Sequence, residues 1–276
     1  GGTPAQPLWQ QKALIALERM VGRITTHWVA VSQADRRQGI EWGLFTASKV
    51  SVVGAAIDPT AFAARIESPE RDRLRAMLGV APDQLLVGTV SCLKPQKSPE
   101  DFVRVAALVC QRVPAARCVL VGDGALRPKV EALLLEQGLQ DRVTLLGWRR
   151  DVAALLKAFD VFVLTSQWEG LPCAILEARA SRIPIVATRV GGAAEAIVEG
   201  IQGTLCPAGD VRAMAERVCQ ILEDERFRVD LRTGTQELPE EFTIQETLKQ
   251  YQSLYAYLLH ATRPREDVMK LQPNRL

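Results

Sequence analysis

From residue 85 onward, short runs of apolar residues alternate with segments whose apolar positions recur at helical spacing. The runs are Leu85–Val90, Cys118–Val121, Val143–Leu146, Val161–Leu164 and Ile185–Ala187. They are apolar throughout rather than apolar on every second residue, so each is read as a strand buried on both faces. Helices are expected between them at Pro99–Val113, Leu126–Gln137, Asp151–Ala158 and Pro172–Ala180. A sixth short strand at Thr204–Cys206 and a helix at Val211–Leu222 extend the series. Strand and helix in strict alternation predict a parallel, doubly wound sheet with helices on both faces.

The two ends read differently. Leu14, Leu17, Val21 and Ile24 mark one helical stripe near the start. Short strands at Trp28–Val31 and Lys49–Val53 follow, separated by a polar helix from Asp35 to Trp42. Residues 1–57 thus hold too few elements for a core of their own. Near the other end, Thr243 and Glu246 form a capping box. Ile244, Leu248, Tyr251, Tyr255 and Leu258 then mark the apolar face of a last helix, and the polar stretch from Thr262 to Leu276 is expected to be flexible.

Composition narrows the classes. The 276 residues carry 34 Lys plus Arg against 32 Asp plus Glu, a net charge of +2. That balance, with 5% aromatic residues, argues against a nucleic-acid partner. Six cysteines show no Cys-x-x-Cys spacing, and there are two histidines, so no metal site is expected. The cysteines lie mostly in apolar stretches, which points to buried thiols and a reducing, cytoplasmic compartment. No apolar run approaches the ~18 residues of a membrane span, leaving peripheral contact with the inner membrane face as the most to expect.

In such a sheet, ligands lie beyond the carboxyl ends of the strands. Four loops there carry candidate chemistry. After the first strand comes Ser91–Pro99, with Lys94, with Lys97 beside an expected helix start and with Ser98 as its N-cap. A helix N-terminus plus a lysine suits a phosphate, although a solvated lysine is the commoner reading of Lys97 alone. Gly122 and Gly124 allow backbone to approach a ligand, or simply form a tight turn. After the fourth strand, Glu169, Gly170 and Leu171 precede Pro172 and a helix carrying Glu177. Two carboxylates beside an anion site make sense when they accept hydrogen bonds from hydroxyls such as those of sugars; a surface helix residue is the plainer reading of Glu177. Gly191 and Gly192 follow the fifth strand, before Glu195.

At these residues the sequence resembles the donor-binding half of glycosyltransferase family 4 enzymes (glycosyl transferases group 1) over roughly residues 20–258. The most specific element is Glu169-Gly170 with Glu177 seven intervening residues on, which matches that family's Glu-x7-Glu motif. Ser91–Lys97 resembles its Gly-Arg-Leu…Lys loop, and Val190–Gly192 its Val-Gly-Gly loop. The resemblance implies a GT-B fold and sugar transfer, with retention, from a nucleoside-diphosphate sugar that is a substrate rather than a cofactor. It implies that Lys97 holds the diphosphate and that Glu177 accepts hydrogen bonds from ribose. Glu169 would lie against the donor sugar, making Glu169 and Lys97 the expected catalytic residues. The amides of Gly170 and Leu171 would cradle the distal phosphate. Gly122, Gly124 and Trp148 would face the nucleotide, and Gly191 and Gly192 the sugar. Where the family has a phosphate-binding arginine, this chain has Cys92, and Lys94 is the expected substitute. No acceptor-side histidine is matched: His27 falls in a different element and His260 near the end of the last helix.

The expected division is a remnant of an acceptor-binding domain with linker at 1–57, a nucleotide-sugar-binding domain at 58–240, a helix crossing back to the acceptor side at 241–261 and a tail at 262–276. The acceptor would be a lipid-linked glycan, a polysaccharide or a small molecule. A chain so divided is expected to self-associate or to need an acceptor domain. Other readings are a non-catalytic nucleotide-sugar-binding subunit, the partner of a split enzyme, and an NAD-dependent enzyme. The last is weakened because Gly122-x-Gly124-x-x-Arg127 lacks a third glycine.

Overall fold

A computed structural model describes residues 7–64, 68–234 and 238–261. The expected flexible tail lies outside the described residues. The chain begins with α1 (Leu8–Ile24), β1 (Trp28–Ala30), α2 (Gln33–Glu41) and β2 (Val50–Val52). Helices α3 (Thr60–Ala63) and α4 (Ser68–Met77), which the apolar pattern does not announce, lead into the main sheet. Its strands are β3 (Leu85–Val90), β4 (Ala116–Val121), β5 (Val143–Gly147), β6 (Val161–Leu164), β7 (Ile185–Thr188) and β8 (Gly203–Cys206). Between them run α5 (Pro99–Arg112), α6 (Arg127–Glu136), α7 (Val152–Ala158), α8 (Cys173–Ala180) and α9 (Ala193–Ala196). The chain closes with α10 (Val211–Glu223), α11 (Glu225–Gly234) and α12 (Ile244–Ala261).

The six strands pair in the order β5-β4-β3-β6-β7-β8, all parallel. This is the doubly wound order, in which the chain winds outward from β3 one way and from β6 the other. Every residue of β6 and β7 is buried, as continuous apolar runs require. One core on one face joins α5, α6 and α10 through Phe102, Val105, Val130 and Val218; the other joins α7 and α8 through Leu155, Phe159, Ile175 and Leu176. β1 and β2 form a separate two-stranded parallel sheet.

The apolar stripes of the two terminal helices are largely uncovered. Leu17, Val21 and Ile24 of α1 are exposed, and the face turned inward includes Ile15 and the buried Gly22. On α12, Ile244, Leu248 and Tyr255 are exposed, whereas Thr247, Gln250, Tyr251, Leu254 and Leu258 are partly covered. Both helices therefore turn much of their apolar stripe outward. α12 is anchored at its start, where Ile57 pairs with Thr243 and the Thr247 hydroxyl donates to the Gly54 carbonyl. The capping box is half formed: Thr243 Oγ1 accepts from the Glu246 amide at 3.4 Å, but the Thr243 amide bonds the Glu240 carbonyl. α2 starts two residues earlier than Asp35, because the Ser32 hydroxyl caps it by accepting from the Asp35 amide.

Candidate functional site

The doubly wound order fixes where the two most informative loops meet. β3 and β6 are neighbours whose chains leave in opposite directions, so the loops after them open a crevice at the switch point. Lys97 comes from one loop and Glu169 from the other, 72 residues apart in sequence. The Lys97 ammonium donates to Glu169 Oε1 at 2.5 Å, with both side chains mostly buried. The same oxygen accepts from the Ser166 hydroxyl, and Glu169 Oε2 accepts from Gln96 Nε2 at 3.4 Å. The loops are further stitched by Thr165 Oγ1, which donates to the carbonyls of Lys97 and Ser98 at 3.0 Å each. Gln167 adds a backbone bond to the Gln96 carbonyl and a side-chain bond to Asp101. Gln96, Ser166 and Thr165 are site-building residues that the sequence pattern did not mark, since a small polar residue in a loop carries no periodicity.

Ser98 stands at the N-cap position of α5 but does not cap it by its side chain. Its backbone is left-handed, with φ 44°, and its hydroxyl donates to Asp101 Oδ2. The tight turn Pro95–Lys97 before it is what aims Lys97 back across the crevice.

Glu177 occupies the second turn of α8, half-buried. Burial pushes its carboxyl above the ordinary glutamate range. α8 begins at Cys173 behind Pro172, so its first amides lack intrahelical partners and face the switch-point side. Cys173, on that first turn, is exposed, and Cys92 is half-buried; the other four cysteines are buried. Burial, with Glu177 nearby, raises the Cys173 thiol.

The glycine loops are used first for packing of loop on loop. A Cβ at Gly122, with φ 129°, would lie 2.0 Å from the Ser91 carbonyl oxygen. A Cβ at Gly191, with φ 47°, would lie 1.8 Å from the Glu169 carbonyl oxygen. The Gly192 amide donates to the Gly170 carbonyl at 2.6 Å. Gly191 and Gly192 thus hold the Glu169–Gly170 backbone in place, and Gly122 and Gly124 hold the Ser91–Leu93 backbone. Trp148 lies at the carboxyl end of β5, 72% exposed, beside the ion pair of Arg149 and Asp151.

The N-terminal segment closes over this crevice. Val31 and Asp35 approach Gly170 so closely that a Cβ there would lie 2.6 Å from Val31 Cγ2 and 3.1 Å from Asp35 Oδ2. Glu195 reaches across to accept the first amides of α2, Gln33 at 2.9 Å and Ala34 at 2.7 Å. A carboxylate at a helix N-terminus is favoured by the helix dipole. Burial, followed by the nearby Glu195, raises the Asp35 carboxyl against the lowering effect of its Ser32 bond. Beside this contact lies a cavity of about 370 Å³ lined by Ser32, Gln33, Leu171, Glu195, Glu241 and Gln250.

A six-stranded parallel sheet with a charged pair at its switch point defines a doubly wound α/β protein. The profile of the family Glycosyl transferases group 1 matches residues 70–238, and the chain belongs to that family. Its fold is the α/β, GT-B type expected above. The chain is 28% identical over 242 residues to the UDP-Gal:alpha-D-GlcNAc-diphosphoundecaprenol alpha-1,3-galactosyltransferase of Escherichia coli, covering 87% of this chain and 62% of that protein. It is 31% identical over 184 residues to the N-acetyl-alpha-D-glucosaminyl L-malate synthase of Bacillus anthracis, covering 66% of this chain and 48% of that protein. Among solved structures, Anabaena HepE in complex with UDP superimposes with a TM-score of 0.81 at 25% identity, covering 92% of this chain and 70% of that one. The chain thus spans about half to two thirds of the length of these curated relatives. No helix among the described residues is long and apolar enough to cross a membrane.

Proposed function

We propose that the chain is the donor-binding, C-terminal half of a retaining family 4 glycosyltransferase that takes its sugar from a nucleoside diphosphate. The meeting of Lys97 and Glu169 at the switch point carries this reading. Without donor, the two charges neutralise each other. With donor, Lys97 turns to the diphosphate, and the first amides of α8 take the distal phosphate. The negative charge that builds on the leaving diphosphate then meets fixed donors. Glu169, released, faces the sugar. Trp148 and the loop of Gly122 and Gly124 flank the base. Residues 1–57 and α12 form the side on which the acceptor is received. A lipid-linked glycan is the class supported by the name of the Escherichia coli relative.

Glu177 tests the nucleotide half of the reading. Glu177→Ala should weaken binding of a ribonucleoside diphosphate about tenfold, the worth of a hydrogen bond to a charged group. Its 2′,3′-dideoxy analogue should bind equally to both proteins. Equal losses on both ligands in calorimetry would return Glu177 to an ordinary helix residue. The same carboxyl sets a pH dependence. Burial makes the folded chain hold the Glu177 proton more tightly than the unfolded chain does. Its contribution to stability is therefore greatest in acid and is lost as pH rises from the ordinary range to the raised value. Urea titrations of Glu177→Ala should lack that decline.

The exposed stripes of α1 and α12 support a further part of the proposal, that this chain self-associates or works with an acceptor domain. Leu17 and Ile24 are 51% and 85% exposed, and Leu248 and Tyr255 are 56% and 60%. Exposed apolar patches of a few hundred Å² mark contact surfaces. Light scattering on the isolated chain should show association, and the chain alone should transfer no sugar. A monodisperse monomer that turns over a nucleotide sugar would overturn both.

A further inference from the structure

At the other end of the sheet from the switch point, where α7 and α8 end and β6 and β7 begin, lies a second cavity of about 490 Å³. Its lining includes Phe62, Arg71, Lys157, Ser181, Arg182 and Arg232. Four of these six side chains are cationic. Of these, Arg71 is paired at 2.8 Å with Asp160, which Arg75 also holds at 2.9 Å. Arg228 lies close as well, its guanidinium on the carbonyls of Ile221 and Leu222. Burial, then the like charge of Arg71, with smaller effects of Arg228 and Arg75, lower the Arg232 guanidinium against the opposing pull of Asp160.

Apart from the Arg71–Asp160 pair, the engaged donors of these cations meet neutral partners. Arg71 Nε donates to the Lys157 carbonyl, Lys157 Nζ to the Ala61 carbonyl and Arg232 Nη2 to the Phe159 carbonyl. Carbonyls satisfy hydrogen bonds without cancelling a unit charge, so the cavity keeps a positive surplus among the described residues.

One further feature points the same way. The Ser181 hydroxyl is buried on this wall with no hydrogen-bond partner among the described residues, a state that costs free energy unless a ligand or water meets it. Arg182, the next residue, holds φ at 56°, in the left-handed region that favours glycine. That turn closes the C-terminus of α8, the Ile183 amide donating to the Ala178 carbonyl, and it sets Arg182 among the residues lining the cavity.

We propose that this cavity is a binding site for a phosphate group, distinct from the switch-point crevice, with Arg71, Lys157, Arg182 and Arg232 supplying charge and Ser181 a hydroxyl donor. Guanidinium groups match phosphate oxygens in pairs, and one hydroxyl completes such a set. The volume exceeds that of a phosphate ion, so the ligand is a phosphomonoester with a body attached, whether a soluble metabolite or a lipid headgroup. α8 links the two sites: its first turn faces the switch point, and its last residue, Ala180, with the following Ser181, lines this cavity.

The test uses the whole chain carrying Lys97→Ala, so that the switch-point lysine does not compete. Inorganic phosphate is titrated against a chloride control of equal ionic strength, and the rise in melting temperature is followed. In that background Arg182→Gly should weaken phosphate binding about tenfold, as the loss of one charged hydrogen bond implies. Without phosphate, the glycine variant should melt at the same temperature or higher, because φ 56° suits glycine. Arg182→Asn, which also tolerates this conformation, gives the same readout should the glycine variant fold poorly. Co-sedimentation with vesicles of phosphatidic acid in phosphatidylcholine separates the sources. Pelleting that is lost in Arg182→Gly identifies a lipid headgroup, and phosphate binding without pelleting identifies a soluble ligand. The proposal is overturned when phosphate acts no differently from chloride, or when Arg182→Gly leaves the phosphate-induced shift unchanged.

Discussion

Replacing Lys97 with alanine should weaken nucleoside-diphosphate binding ten- to a hundredfold in calorimetry. A charged hydrogen bond to phosphate is worth about 1.5–3 kcal/mol, and each ~1.4 kcal/mol is a factor of ten. The structure adds a second, opposite expectation. Lys97 is paired with Glu169, so a diphosphate held by Lys97 would have to displace that carboxylate. Glu169→Gln removes the competing negative charge while keeping the size of the side chain. It should therefore bind the diphosphate at least as tightly as the unaltered chain. If Lys97 and Glu169 were only a structural ion pair, neither change would alter affinity. Opposite signs from two halves of one salt bridge are the signature of a lysine shared between a carboxylate and a phosphate. Unchanged affinity in Lys97→Ala would remove the anion site from the first loop.

Asp160→Asn should cost about 3–5 kcal/mol of stability, the usual cost of removing one partner from a buried ion pair. Asp160 is 5% exposed and stands just before β6. It accepts from Arg71 and Arg75 on α4 and from the Leu86 amide on β3 at 2.7 Å. One carboxylate thus ties a helix to the two central strands. Arg75, also 5% exposed, would be left buried without its counter-charge. Against a typical total of about 5–15 kcal/mol, that loss is large. The pH dependence follows from the direction of the shift. Burial, the largest influence, pushes the Asp160 carboxyl up, but Arg75, the Leu86 amide and Arg71 together hold it below the ordinary range. The folded chain thus binds this proton more weakly than the unfolded chain. The stabilisation is full above the ordinary aspartate range and is lost as pH falls through the lowered value. Urea titrations across that range should show the acid decline in the unaltered chain and a shallower one in Asp160→Asn. A variant as stable as the parent at neutral pH would show that α4 is held by packing alone.

The alternation of apolar runs with helical segments determined the parallel doubly wound sheet, because a strand buried on both faces must be apolar at every position. The periodicity that finds a helix also finds its apolar stripe, but what covers that stripe depends on which neighbours are near. Hence the stripes expected on α1 and α12 are real in sequence and largely outward in the fold. Helices α3 and α4 were not legible because the charges of α4 are spent on Asp160, a partner nearly ninety positions away. Lys97, Glu169 and Glu177 could be singled out one by one from residue type and spacing. Only the strand order made β3 and β6 neighbours and brought Lys97 onto Glu169. Likewise, the glycines at 122 and 191 announced a close approach, while the tertiary structure decided that the neighbouring loop is what they approach. Local sequence sets backbone preference and burial pattern, both short-range quantities. Charge pairing and loop contact depend on distance in space, which the crossover connections of the sheet determine.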